Sequence, residues 1–386
     1  MASAKPENQV AVPATKLLVQ SMISVVLCVG SVVCAQAQDA RPDNTNESWT
    51  ATTQTSGDYT NPSRTAERHT KSGNRSVDKQ RVEVLGPDGL FQTDSDTEKE
   101  TIQVNATTTR TVVRTYGWDG NGRRYLVQVT EEEARSLASG DAQVVRTTSN
   151  SDVNGNLQVV QRVVADTRKR SPDAQETKTT VYLGDGNGGL IPSMQTQELQ
   201  MHSADHSVEI KKTTLVPGGN GNWEVGEVKQ KTIKEDGKDR TTDERVSFPD
   251  LEGRLSEVSR TVGKETETAA GEKSNTVEKY SMDIPGIAGD GTLHLKQRVT
   301  TVQKNDSDGK TTEQQVEQPT GNPSDGLQAS AKTKYTVRYA ASGTQQTKTV
   351  QTRDGSGNFS VVSVETQKSN QPPPAPAPVS PSDKPK

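Results

Sequence analysis

The chain has 386 residues, 46 Lys and Arg against 50 Asp and Glu, and a net charge of −4. The two signs are interleaved, which excludes the basic stripe that nucleic acid requires. Only 28% of residues are hydrophobic and 3% aromatic; Leu, Ile, Val and Phe together make up about 18% of the chain, too little for two or three ordinary packed domains of this length.

The first 37 residues read as a secretory signal. Lys5 and Lys16 supply positive charge, Leu17 to Cys34 is apolar, and Ala35-Gln-Ala37 is a small-residue cleavage site. Cleavage after Ala37 leaves no stable membrane insertion by this segment. It also removes Cys28 and Cys34, the two cysteines, so the mature chain has no thiol chemistry. Residues 38–56 are polar and are expected to be a disordered lead-in.

From residue 57 to 370 the chain is periodic. Turn-type glycines recur at Gly57, Gly89, Gly122, Gly155, Gly188, Gly221, Gly253, Gly291, Gly326 and Gly357, a period of about 33 residues and about ten copies. Asp119-Gly-Asn-Gly122, Asp152-Val-Asn-Gly155 and Asp185-Gly-Asn-Gly188 are hairpin signals, read as type I′ turns. A second breaker falls half a period later, as at Gly73, Gly140, Gly237, Gly309 and Gly343. Each unit is therefore turn, strand, turn, strand. Val and Thr, both strand formers, dominate the strands, and small net charge separates the chain from ordinary disordered sequences. The expected fold is all-β: tandem antiparallel hairpin repeats in an extended meander sheet with disordered ends. Two local departures are predicted: a short helix behind the capping box Thr130-Glu-Glu-Glu133, and a bulged loop at Pro285-Gly-Ile-Ala-Gly289. The end, 371–386, carries 7 of the 19 prolines and reads as an extended tail.

No catalytic constellation emerges: there is no GxSxG, P-loop or HExxH, and the chain is read as non-enzymatic, without cofactor. Asp-x-Asn-Gly invites a calcium reading, but Phe359 and Val163 occupy positions where a calcium loop needs glycine and glutamate. His202 and His206 flank a turn without a third ligand beyond Asp205. The expectation is no metal. The aromatic residues that follow the turns, Tyr59, Phe91, Trp118, Trp223 and Phe359, are the candidate ligand-stacking set; the competing reading makes them plugs of a sparse core.

The D-x-N-G turn followed by an apolar residue resembles the bacterial YD (Rhs-type) repeats, which build β-rich shells. Those repeats are shorter and carry a Tyr-Asp signature absent here, so their function is not carried over. The Lys/Glu/Thr-rich hairpins resemble the single-layer sheets of spirochaete outer-surface lipoproteins, a likeness of composition and fold.

Three functions follow from these features. The first is a secreted, periplasmic or cell-surface repeat protein with a structural, spacer or adhesive role, its partner an envelope polysaccharide or protein. The second is a carbohydrate- or peptide-binding module built on the aromatic row. The third is an outer-membrane barrel, for which about twenty antiparallel strands suffice but an outward apolar band is required.

Overall fold

A computed structural model describes residues 44–56, 59–268, 271–282, 292–320, 326–340 and 342–370. The signal segment, its cleavage site, the Pro285 loop and the Pro-rich tail lie outside the described residues. All described strands belong to one unit, 42–386.

The first five strands are β1 (Asn44–Ser56), β2 (Tyr59–Ser72), β3 (Arg75–Leu85), β4 (Phe91–Asn105) and β5 (Thr108–Trp118). Then come β6 (Arg124–Ser136), β7 (Ala142–Ser151), β8 (Leu157–Ser171), β9 (Ala174–Gly184) and β10 (Leu190–His202). The second half begins with β11 (Val208–Pro217), β12 (Trp223–Asp236), β13 (Asp239–Pro249), β14 (Leu255–Glu267) and β15 (Lys273–Ser281). It ends with β16 (His294–Asp306), β17 (Gly309–Pro319), β18 (Leu327–Ala340), β19 (Gly343–Arg353) and β20 (Phe359–Ser369). No helix is present among the described residues. Thr130–Glu133 does not start one: these residues sit inside β6, where Thr130 and Glu132 face Thr148 and Arg146 of β7. Their side chains find cross-strand partners, which outweighs the local capping pattern.

Each strand pairs antiparallel with the next, and β20 returns to pair with β1, from Thr50 opposite Ser369 to Thr55 opposite Val364. The expected open meander is therefore corrected to a closed β-barrel. The expected lead-in is corrected too: Asn44–Ser56 is the strand that closes the ring. Strand spacing of about 4.8 Å and a tilt of about 40° give a ring roughly 40 Å across.

The closure has a local cause. In nine of the ten hairpin units the register skips one residue near the start of the second strand: Asp94, Val127, Val160, Ser193, Gly226, Val258, Lys296, Ser330 and Val362. A β-bulge bends the strand that carries it and increases its right-handed twist. Bulges repeated at one level of one strand per unit bend the sheet in the same sense each time, and a twenty-stranded sheet so bent meets itself.

The turns are also built differently from the type I′ reading. Gly122 N donates to Asp119 O at 2.9 Å, and Gly122 has φ of 72° while Asn121 does not enter the positive region. This is a type I turn followed by a left-handed glycine. The turn aspartate supplies the rest: Asp119 Oδ1 accepts from the amides of Asn121 at 2.9 Å and Arg123 at 2.8 Å. Asp152, Asp250 and Asp354 repeat the pattern. Asparagine marks the turn in the sequence, but the aspartate two residues earlier carries the hydrogen bonds.

The wall is a single layer. Among the described residues Val112, Val129, Val228 and Val337 are the buried hydrophobic side chains, and no side chain is fully enclosed. The aromatic row therefore does not plug a core. Cohesion rests on backbone ladders and cross-strand pairs, each pair contributing roughly 0.2–1 kcal/mol.

Candidate functional site: an arginine face

Side chains alternate along every strand, so the register divides the wall into two faces. The alternation returns to β1 in phase: the face that holds Thr65, Val82 and Ser95 also holds Glu365 and Gln54. The opposite face holds Ala66, Arg81, Asp96 and Tyr116.

Arginine is sorted between them. Among the described residues, fifteen of the seventeen arginines at paired strand positions lie on the Arg81 face, with Arg146 and Arg240 on the other. Lysine is not sorted this way; Lys79 and Lys334 lie on the arginine face and Lys99 and Lys229 on the opposite one. Arginine's planar fork suits paired carboxylates, and most of the wall's ion pairs follow it.

The pairs are densest on β3–β6. Arg81 Nε lies 2.9 Å from Asp96, and Arg124 Nε lies 3.2 Å from the same carboxylate. Arg124 also reaches Glu98 at 3.2 Å, which Lys79 approaches at 3.4 Å. Glu100 is bridged by Arg75 at 2.7 Å and by Arg114 at 3.5 Å. Five cations thus share three carboxylates. Asp96 is buried, with 5% of its surface exposed, which makes its two guanidinium partners necessary rather than ornamental. Partial burial by itself pushes the Glu98 carboxyl up, but Arg124 and Lys79 outweigh it and hold it below the usual carboxylate range.

A second cluster on the same face spans β13–β17. Asp243 accepts from Arg260 at 2.9 and 2.8 Å and from Arg245 at 3.2 Å. Arg298 joins Glu278 at 2.8 Å to Glu317 at 3.6 Å, and Tyr280 Oη donates to Glu278 at 2.6 Å. Here three arginines meet three carboxylates.

The sequence-predicted aromatic residues divide. Tyr59 opens β2 and its side chain is outside the described ones. Phe91, Trp118, Trp223 and Phe359 stand on the arginine face at strand ends, along the rim of the Asp-Gly turns. Phe91 and Trp118 are on neighbouring strands, whereas Trp118 and Trp223 are separated by seven strand spacings, about 34 Å of wall. The row is therefore not one stacking ladder. Cations cover several rings: Arg64 lies 3.8 Å from the Phe91 centroid, Arg124 3.5 Å from that of Tyr116, and Lys332 4.4 Å from that of Phe359. This face is hidden in the linear sequence because its charges alternate with Thr and Val along the chain; counting every second residue across each bulge separates them.

The carboxylates set an acid limit. Backbone amides, Asn156 first for Asp152 and Arg254 first for Asp250, hold these turn carboxyls below their ordinary value. Arg260 does the same for Asp243, and Tyr280 then Arg298 for Glu278. A carboxyl lowered in the folded state contributes stability that is complete above its unfolded value of about 4 and is lost as pH falls through the folded value. Melting temperature is expected to stay level from pH 7 to 5 and to fall below about pH 4. Thermal melts at pH 7, 5, 4 and 3 check this; a decline centred near pH 6 would contradict it.

No family model matches the chain, and no curated protein matches it. Similar solved structures include CdiB from Acinetobacter baumannii, with 9% identity over 84% of this chain and a TM-score of 0.32. The chain spans 60% of that protein's length. The siderophore receptor PirA from Pseudomonas aeruginosa is 10% identical over 85% of this chain and 80% of its own, with a TM-score of 0.43. Pseudomonas aeruginosa OpdO is 9% identical over 84% of this chain and 96% of its own, with a TM-score of 0.39.

Proposed function

We propose that the chain is a non-enzymatic barrel of the bacterial cell envelope, exported and wetted on both sides of its wall, with a structural or adhesive role. The observation that supports this is charge in mid-strand on both faces of a closed ring. Glu98, Arg114 and Glu131 lie on the arginine face, and Lys99, Glu132, Arg146 and Lys231 on the other. Whichever face is outward, it carries charges where a bilayer barrel carries an apolar band. Each Lys or Arg at the lipid midplane costs about 2–4 kcal/mol. An envelope polysaccharide or protein is the partner this reading expects.

The outer-membrane barrel is the second reading, favoured by the closure of an even number of antiparallel strands. Fractionation separates the two. Expressed with its leader in a Gram-negative host, the full chain is expected in the osmotic-shock or medium fraction without detergent. Recovery only from detergent-solubilised outer membranes, after urea and carbonate washes, would overturn the first reading and establish the second.

A further inference from the structure

We propose that the arginine face of β3–β6 is a binding site for a small, free multivalent oxyanion of the polyphosphate type. The first observation is a local imbalance. Arg75, Lys79, Arg81, Arg114 and Arg124 are served by Asp96, Glu98 and Glu100, so two positive charges remain after every contact is made. The flanking pairs, Arg64 with Glu83 and Arg110 with Glu131, are balanced one to one and do not cancel the surplus. The cluster on β13–β17, built from the same residue types, is balanced three to three. The surplus thus belongs to the ion-paired cluster on this one face; the stretch 75–136 as a whole, with the carboxylates of its turns and opposite face, carries 9 basic and 11 acidic residues.

The second observation is an orphaned donor in the same place. Trp118 Nε1 is shielded from water and has no acceptor. Trp118 faces Arg124 across the β5–β6 register, and the Arg81 guanidinium lies 5.9 Å from its ring. A buried N–H without a partner costs free energy that a ligand acceptor can recover. A multivalent oxyanion supplies both missing elements: charge to balance the surplus together with oxygens for the guanidinium N–H groups not committed to carboxylates, and, once a side-chain shift uncovers it, an acceptor for Trp118 Nε1–H. A neutral sugar supplies neither charge, and a monovalent anion answers only half of it. Partial exposure of the arginines, 34% for Arg124 and 50% for Arg81, leaves them within reach of a solute while keeping the expected affinity modest.

Calorimetric titration of the full chain with sodium tripolyphosphate tests the site. Wild type is expected to bind saturably, one ion per chain, with affinity falling as salt rises. Arg114→Gln should weaken binding about fivefold, in line with the loss of one partly exposed charge-assisted contact. Glu100→Gln should tighten it, because it frees Arg75 and Arg114. Glu244→Gln makes the same charge change on the opposite face and should leave affinity unchanged. Trp118→Phe should weaken binding without altering net charge. Circular dichroism of each variant checks the fold, and Arg75→Gln replaces Arg114→Gln if the latter fails to fold. Absence of saturable binding would overturn the proposal. So would equal tightening by Glu100→Gln and Glu244→Gln, which would reveal a diffuse charge effect. Neither result bears on where the barrel resides, so the envelope reading stands or falls separately.

Discussion

Gly309→Val is expected to destabilise the barrel by on the order of 3 kcal/mol, the largest effect of any single substitution considered. Gly309 opens β17 opposite Arg338, and it is buried. A Cβ there would lie 2.0 Å from the carbonyl oxygen of Val337 and 3.1 Å from its carbonyl carbon. The obstacle is backbone of the adjacent strand, which cannot rotate away as a side chain can. β17 and β18 must separate locally, straining a ladder in a wall that has no core to compensate. Gly120→Ala is the matched control: nothing lies within 4 Å of the added methyl and the backbone is not left-handed. Thermal melts of the two variants should differ sharply. A Gly309→Val melt within 1 °C of wild type would mean that β17 and β18 are not paired in this register.

Removing residues 44–56 is expected to abolish the monomeric barrel. β1 is antiparallel to both β2 and β20, so without it those two strands would have to meet in parallel. Re-closure would need a ladder of a kind found nowhere else among the described strands. It would also have to join strands curved for a larger ring. The two strands are left as open edges, and exposed edges recruit other chains. Light scattering coupled to size exclusion should show the truncated chain as oligomer or aggregate while the full chain runs as one species. A monodisperse truncated monomer with an unchanged melt would refute closure through β1. The same experiment tests whether Asn44–Ser56 belongs to the folded unit.

Much of the architecture could be read in the sequence. Gly122, Gly155 and Gly357 mark the turns because only a residue without Cβ enters the left-handed region cheaply, and Val and Thr mark the strands between them. Closure was hidden. It depends on the summed curvature of bulges at residues as unlike as Asp94, Val127, Ser193 and Gly226, which share a position and no chemistry. The strand character of Asn44–Ser56 is hidden by its polarity; in a single-layer wall a strand needs partners on two sides rather than an apolar face. The aromatic row was visible as a list, but its separation around the ring follows from closure and could not precede it. The arginine face was invisible for a related reason. Face membership changes at each bulge, so Phe91 and Asp96 share a face although an odd number of steps separates them.

One hairpin per repeat also fixes how such a protein can change. A gene duplication that adds one unit inserts two strands, about 12 Å of circumference at 4.8 Å per strand and a tilt of about 40°, and a loss removes the same amount. Because strands are gained and lost in pairs, the first and last remain antiparallel and the ring can still close. Copy number is therefore a gauge: the bore is set by counting, in discrete steps, without redesign of any unit. Lineages that differ by one repeat would carry barrels of different calibre built from interchangeable parts.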